Sequence, residues 1–152
     1  MTTLEKLSQA VASGKSRDAK TLTQQALDEG ASPGDLVDHA LVPAMALVGD
    51  KFKQGLIFVP EMLVAARAMK EAMNLLAPHL SAAGITPKYT AIIGTVQGDL
   101  HDIGKNLVAI MLKGANFRVI DLGTNVSAEK FIAAIKEYRP QLVGLSALLT
   151  TT

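Results

Sequence analysis

Tyr89-Thr90-Ala91-Ile92-Ile93-Gly94-Thr95-Val96-Gln97-Gly98-Asp99-Leu100-His101-Asp102-Ile103-Gly104-Lys105-Asn106 is an apolar run with several β-branched residues, then a polar loop between glycines, then the start of a helical pattern. Tyr89 to Val96 reads as a buried parallel strand, since such strands are apolar on both faces. Toward the C-terminus the pattern continues with a helix from about Gly104 to Lys113 and a second strand, Phe117 to Asp121. A helix capped by Ser127 then runs to about Tyr138, Pro140 stops it, and Leu142 to Ser146 forms a third strand. This β-α-β-α-β alternation makes one half of a doubly wound parallel sheet. The chain stops at Leu149-Thr150-Thr151-Thr152, just past a strand. A three-stranded parallel sheet with an open flank is unusual, so residues 87–152 are expected to be the first half of a longer, truncated domain.

Toward the N-terminus the period changes to that of helices. Leu4, Leu7 and Val11 recur at helical spacing before Gly14; Ser16 reads as an N-cap for a helix bearing Ala19, Leu22, Ala26 and Leu27. Ser32-Pro33 places a capping serine before a first-turn proline. The third helix carries Leu36, Ala40, Leu41, Met45, Val48 and Phe52, and Pro43 inside it should kink it. A fourth runs from Pro60 to about Ala83 with Met62, Leu63, Ala66, Met69, Met73 and Leu76. Four amphipathic helices with short connections predict a small bundle over residues 1–86.

Composition narrows the class. The chain has 152 residues, 49% of them hydrophobic and 19% charged, with a net charge of +1, which suits a globular protein with a core. No basic run and few aromatic residues point away from nucleic acid. With no cysteine, disulfides, thiolate metal sites and a Cys nucleophile are excluded. The N-terminus lacks the order of a signal peptide, and no apolar run approaches the ~18 residues that cross a bilayer. A cytoplasmic protein without a membrane partner is expected.

The chemistry concentrates in the loop after the first strand, where open α/β sheets bind ligands. Asp99 and His101 are two apart and can point the same way in an extended loop. A carboxylate that accepts the Nδ1 proton of a histidine leaves Nε2 free for a metal. Residue types alone leave alternatives. Asp99 could be a helix cap beside a surface histidine, and one Asp with one His makes a poor zinc site. Phosphoryl transfer onto Asp99 or Asp102 needs a downstream lysine, for which Lys105 is wrongly placed. Met62, Met69 and Met73 read as core filling, His39 near Asp35 as a surface pair, and His79 as structural.

The segment Gly98-Asp99-Leu100-His101-Asp102-Ile103-Gly104-Lys105-Asn106, with its Asp99-x-His101-x-x-Gly104 pattern, resembles the signature of B12-binding domains. Ser146-Ala147-Leu148 resembles the family's Ser-x-Leu motif, while its later Gly-Gly pair is absent from this chain. In the helical half, Val48-Gly49-Asp50-Lys51-Phe52 with Gly55, Phe58-Val59-Pro60-Glu61-Met62 and Ala65-Ala66 resembles the four-helix cap of methionine synthase and of corrinoid methyl-carrier proteins. The resemblance therefore implies an α/β protein: a four-helix bundle cap, 1–86, then a truncated Rossmann-like doubly wound domain, 87–152.

What the resemblance implies for the site is specific. His101 is the lower axial ligand to the cobalt of cobalamin or a related corrinoid, bound base-off/His-on, and Asp99 holds its tautomer. Gly98, Leu100, Asp102, Ile103 and Gly104 complete the binding loop. Ser146 lines the nucleotide slot, with Thr150 near the tail or the corrin edge, and Leu148 of the same motif is a further cofactor-binding residue. Phe52 and Val59 cover the upper face of the corrin, and Asp38 approaches the corrin amides. The implied role is a carrier that shuttles a methyl group on cobalt, as the corrinoid subunit of a multi-component methyltransferase. Its partners would be a donor-specific methyltransferase, an acceptor methyltransferase using tetrahydrofolate or a thiol, and a reductive activator. A B12-dependent sensor and an adenosylcobalamin mutase small subunit are the alternative readings. The first is disfavoured by the lack of Trp and of a basic helix, the second by the helical half.

Overall fold

The computed structural model describes all 152 residues as two units, Met1–Thr86 and Pro87–Thr152. At the first and third helices of the first unit, a side chain satisfies a free N–H group of the first turn. Thr2 and Glu5 form a capping box at α1, Thr3–Ala12. At α3, Pro33–Leu36, Ser32 Oγ accepts the Asp35 N–H at 3.2 Å. Ser16 does not cap as expected: it is the first residue of α2, Ser16–Asp28, and Lys15 precedes it without a side-chain bond. The Gly14 turn sets that boundary, since the Gly14 C=O accepts the Ser16 N–H at 3.1 Å.

The break expected at Pro43 takes the form of a π-helical turn, Val37–Leu41, between α3 and α4, Val42–Lys53. The Val42 N–H reaches the Val37 carbonyl. Proline cannot donate to the carbonyl four residues back and its ring collides with it; a widened turn just before Pro43 accommodates both. The long α5, Val59–Ala82, opens with the Phe58 N–H donated to Glu61 Oε2 at 3.0 Å. Leu7, Val11, Leu36, Leu41, Met45, Val48, Met62, Met69 and Leu76 are buried, with Ala19, Ala26, Ala65, Ala68 and Ala72 among them. Burial of each large side chain is worth about 1.5–3 kcal/mol. The methionines Met62 and Met69 are therefore core residues. No helix is long and apolar enough to cross a membrane.

The second unit is the predicted alternation: β1 Tyr89–Thr95, α6 Ile103–Gly114, β2 Phe117–Asp121, α7 Ala128–Tyr138 and β3 Leu142–Ser146. All pairings are parallel in the order β2-β1-β3. The chain steps from β1 to one neighbour and then crosses back to the other. With right-handed crossovers this reversal sends α6 and α7 to opposite faces. The ends of β1 and β3 lie side by side at the point where the strand order reverses, the switch point where such sheets bind ligands. Ser127 Oγ caps α7 through the Lys130 N–H at 3.3 Å.

One face of the sheet is held by Ile92, Val126, Phe131 and Ala134, with Ile120, Leu122, Tyr138 and Val143 around them. Gly94 lies on that face of the central strand, and a Cβ there would stand 2.9 Å from Phe131 Cζ. Gly94→Ala is expected to destabilise by about 1–3 kcal/mol, the usual cost of overpacking. A urea titration of the variant checks it.

Candidate functional site

The strand β1 carries the chain to the switch point, and the loop that follows is built by hydrogen bonds rather than by apolar packing. Asp99 N–H closes a turn onto the Val96 C=O at 3.1 Å, with Gly98 at φ +86°, a conformation glycine adopts without cost. Val96 N–H donates to the Ser146 C=O at 2.9 Å, tying the loop to the end of β3. Asn125, itself left-handed at φ +52°, accepts the Gly98 N–H on Oδ1 at 2.9 Å and donates its own N–H to the Asp99 C=O at 3.0 Å.

This scaffold turns the Asp99 carboxylate inward, where it is 0% exposed. Oδ1 accepts the His101 N–H at 2.9 Å and lies 2.7 Å from His101 Nδ1. Oδ2 accepts the backbone N–H groups of Leu148 and Leu149 at 2.7 and 3.1 Å. The His101 and Leu148 N–H groups hold the carboxyl well below the usual carboxylate range; burial opposes them, and the imidazole and the Leu149 N–H add to the lowering. The carboxylate is therefore a fixed anion across the neutral range. The His101 side chain is 55% exposed, so with Nδ1 against Asp99 its other nitrogen is left for an outside partner.

Around the pair the loop presents apolar side chains to solvent. Leu100 and Ile103 are 73% and 78% exposed, and Leu148 and Leu149 are exposed too. Gly104, in the first turn of α6, has no heavy atom within 4 Å of where a Cβ would sit. Asp102 is the N-cap residue of α6 but makes no side-chain cap bond. Ser146 is partly buried at the end of β3, and Thr150 is exposed in the terminal turn. Gly98, Asp99, His101, Ser146 and Leu148 are thus joined by direct hydrogen bonds or through one shared residue.

Asp38, Phe52 and Val59 belong to the helical unit. Asp38 is exposed on the π-helical turn, and Val59 is partly buried at the start of α5. Phe52 shares the helical stripe of the buried Met45 and Val48, yet it is 40% exposed. It stands with the exposed Leu47, Leu56, Phe58, Leu63 and Val64 as surface apolar residues of α4, α5 and their connection. His39 lies 4.0 Å from Asp35 at the surface, and His79 is exposed.

The sequence reading missed three residues that brace the loop. Buried Thr95 donates Oγ1 to the His101 C=O at 2.8 Å. Lys105, its side chain only 3% exposed, places Nζ 2.9 and 2.7 Å from the two oxygens of Asp121. Burial raises the Asp121 carboxyl, but the Lys105 ammonium and the Gly123 N–H outweigh it and leave it below its ordinary value. A signal existed: a lysine in the first turn of a helix opposes the helix dipole and so announces a nearby anion.

No group of three or more His, Asp or Glu side chains could by itself hold a metal ion. A single, well-oriented imidazole beside exposed apolar side chains fits instead a metal that brings its own planar ligand. Residues 3–77 match the model of one B12 binding domain and residues 89–152 that of a second. A corrinoid protein of Desulfitobacterium hafniense is 39% identical over 100% of this chain and 72% of its own length. Trimethylamine corrinoid protein 2 of Methanosarcina acetivorans is 43% identical over 88% of this chain, which spans 63% of that relative. In the methanol:cobalamin methyltransferase complex MtaBC from Methanosarcina barkeri, one chain superposes with a TM-score of 0.90 at 34% identity. That match covers 99% of this chain and 58% of the other.

Proposed function

The chain belongs to the corrinoid proteins that join two B12-binding domains, and from that premise we propose that it is a methyl carrier whose His101 ligates the cobalt of a bound corrinoid. The observation that carries the proposal is the buried Asp99 carboxylate 2.7 Å from His101 Nδ1, saturated on its other oxygen by two backbone N–H groups.

When bound, the corrinoid supplies a cobalt centre that accepts and releases a methyl group. The residues of this chain supply orientation, proton placement and exclusion of water. Asp99 holds the proton on Nδ1, so that Nε2 presents its lone pair outward. Leu100, Ile103 and Leu148 offer apolar surface to a macrocycle, while Gly98 and Gly104 allow close approach of the backbone. Ser146 is assigned to the nucleotide slot, with Thr150 near the nucleotide tail or the corrin edge. Phe52 and Val59 are assigned to the apolar cover of the methyl-bearing face, with Asp38 toward the corrin amides.

The partners proposed are a donor-specific methyltransferase, an acceptor methyltransferase using tetrahydrofolate or a thiol, and a reductive activator. MtaBC is a methanol:cobalamin methyltransferase complex, and the similarity to methylamine corrinoid proteins supports the same kind of assembly. An ultraviolet–visible spectrum of the chain incubated with aquocobalamin and then desalted tests the proposal. Retained corrinoid with a nitrogen-ligated band pattern is expected. A colourless protein, both from this chain and from a form extended to the length of its relatives, would overturn it.

A further inference from the structure

The hydrogen bonds around His101 form a closed circuit that the Asp99 contact does not account for. Thr95 Oγ1 donates to the His101 C=O at 2.8 Å. Thr95 is itself fixed in the sheet, its N–H on the Gly123 C=O and its C=O under the Val126 N–H, both at 2.9 Å. Gly123 N–H in turn donates to Asp121 Oδ1 at 2.9 Å. Asp121 is held by Lys105, whose three ammonium protons meet Asp121 Oδ1, Asp121 Oδ2 and Asn106 Oδ1 at 2.9, 2.7 and 2.8 Å. Lys105 stands in the first turn of α6, four residues after His101, and closes the ring.

Neither member of this circuit is explained by stability alone. The Lys105 side chain is buried while that of Asp121 is 36% exposed; taking the ammonium out of water offsets much of what the pair gains, and Lys105 opposes the dipole of its own helix. A buried hydroxyl needs a partner, and Thr95, at the end of β1, finds it across the loop on the His101 C=O rather than within its own strand. Asp99 takes the N–H and the ring of His101, which leaves the peptide plane on the carbonyl side to be set by something else. We propose that Thr95, backed by the Lys105–Asp121 pair, is a positioning residue that fixes the His101 backbone so that only one imidazole orientation remains.

The test uses the full chain in two states, and only the second rests on the corrinoid reading. Thr95→Val keeps the volume and β-branching and removes only the donor; Thr95→Ser restores it. In the corrinoid-free protein, loss of the Thr95 bond to the His101 C=O should loosen the loop, so that the His101 N–H parts from Asp99 more often and its amide exchange rises about tenfold in Thr95→Val, the scale of one lost buried hydrogen bond. It should return toward wild type in Thr95→Ser, with no comparable change at the amides of Ile92 and Ile93. After loading with aquocobalamin, the nitrogen-ligated fraction should fall by a similar factor in Thr95→Val. His101 exchange within about twofold of wild type, below the scale of one such bond, overturns the proposal. Should Thr95→Val fail to fold, Lys105→Met is judged by the same exchange criterion. Failure of the wild type to take up cobalamin overturns the corrinoid reading, while the exchange experiment still decides the role of Thr95.

Discussion

Replacing His101 by alanine is expected to abolish the nitrogen-ligated spectrum of the cobalamin-loaded chain. The two other histidines, His39 and His79, are exposed on the helical unit and each lacks a buried carboxylate to orient it, so neither is a substitute. The loss in corrinoid retention should exceed the roughly 10–100-fold that removal of an outer partner of a metal ligand costs. Stability should fall modestly: the side chain is more than half exposed, but its ring is a hydrogen-bond partner of the buried Asp99 carboxylate. Absorption spectra and a denaturant titration on the same preparation separate the two effects. An unchanged cobalt spectrum in His101→Ala would remove the histidine from the site.

Asp99→Asn is expected to be the more damaging change to the protein itself. Both carboxylate oxygens accept from N–H groups: His101 N on one side, Leu148 and Leu149 N on the other. An amide offers one oxygen and one NH2, so in either orientation a donor faces a donor, and a buried polar group is left unpaired. The loop should loosen, and corrinoid retention should fall by about 10–100-fold. The pH dependence has a definite sign. The folded-state carboxyl is held well below its ordinary value, so its contribution is complete above the unfolded value, about 3.9. It is lost as the pH falls below that and through the folded value. Urea midpoints of wild type and Asp99→Asn should differ by a constant amount from neutrality down to about pH 4 and then converge. A gap that widens in acid would contradict the assignment of Asp99 as a buried anion.

Much of this architecture was legible from local pattern. The switch from a helical to a strand period, the limits of β2 and β3, and the serine caps at Ser32 and Ser127 all follow from residues a few positions apart. So does the loop Gly98 to Gly104, because glycine spacing and an Asp-x-His pair are local features. Where local signals were ambiguous, tertiary context decided. Ser16 yielded its capping role to the Gly14 turn, and Pro43 was absorbed by a π-helical turn rather than a bare kink. Phe52, on the same stripe as buried Val48, proved exposed because a stripe gives the direction of a side chain and not whether a neighbour covers it.

By itself, then, the amino-acid order determined which elements form, their sequence, and the one loop able to hold an oriented histidine. Only the tertiary structure decided what orients it. The donors on Asp99 Oδ2 come from Leu148 and Leu149, about fifty residues away, and they arrive there because β3 pairs beside β1 in the order β2-β1-β3. Backbone N–H groups carry no side-chain signature, so their convergence on a buried carboxylate is invisible until the strands are placed. The Lys105–Asp121 pair and the Thr95 bond were hidden for the same reason: their partners are near in space only because two parallel strands and a helix end at one edge of the sheet.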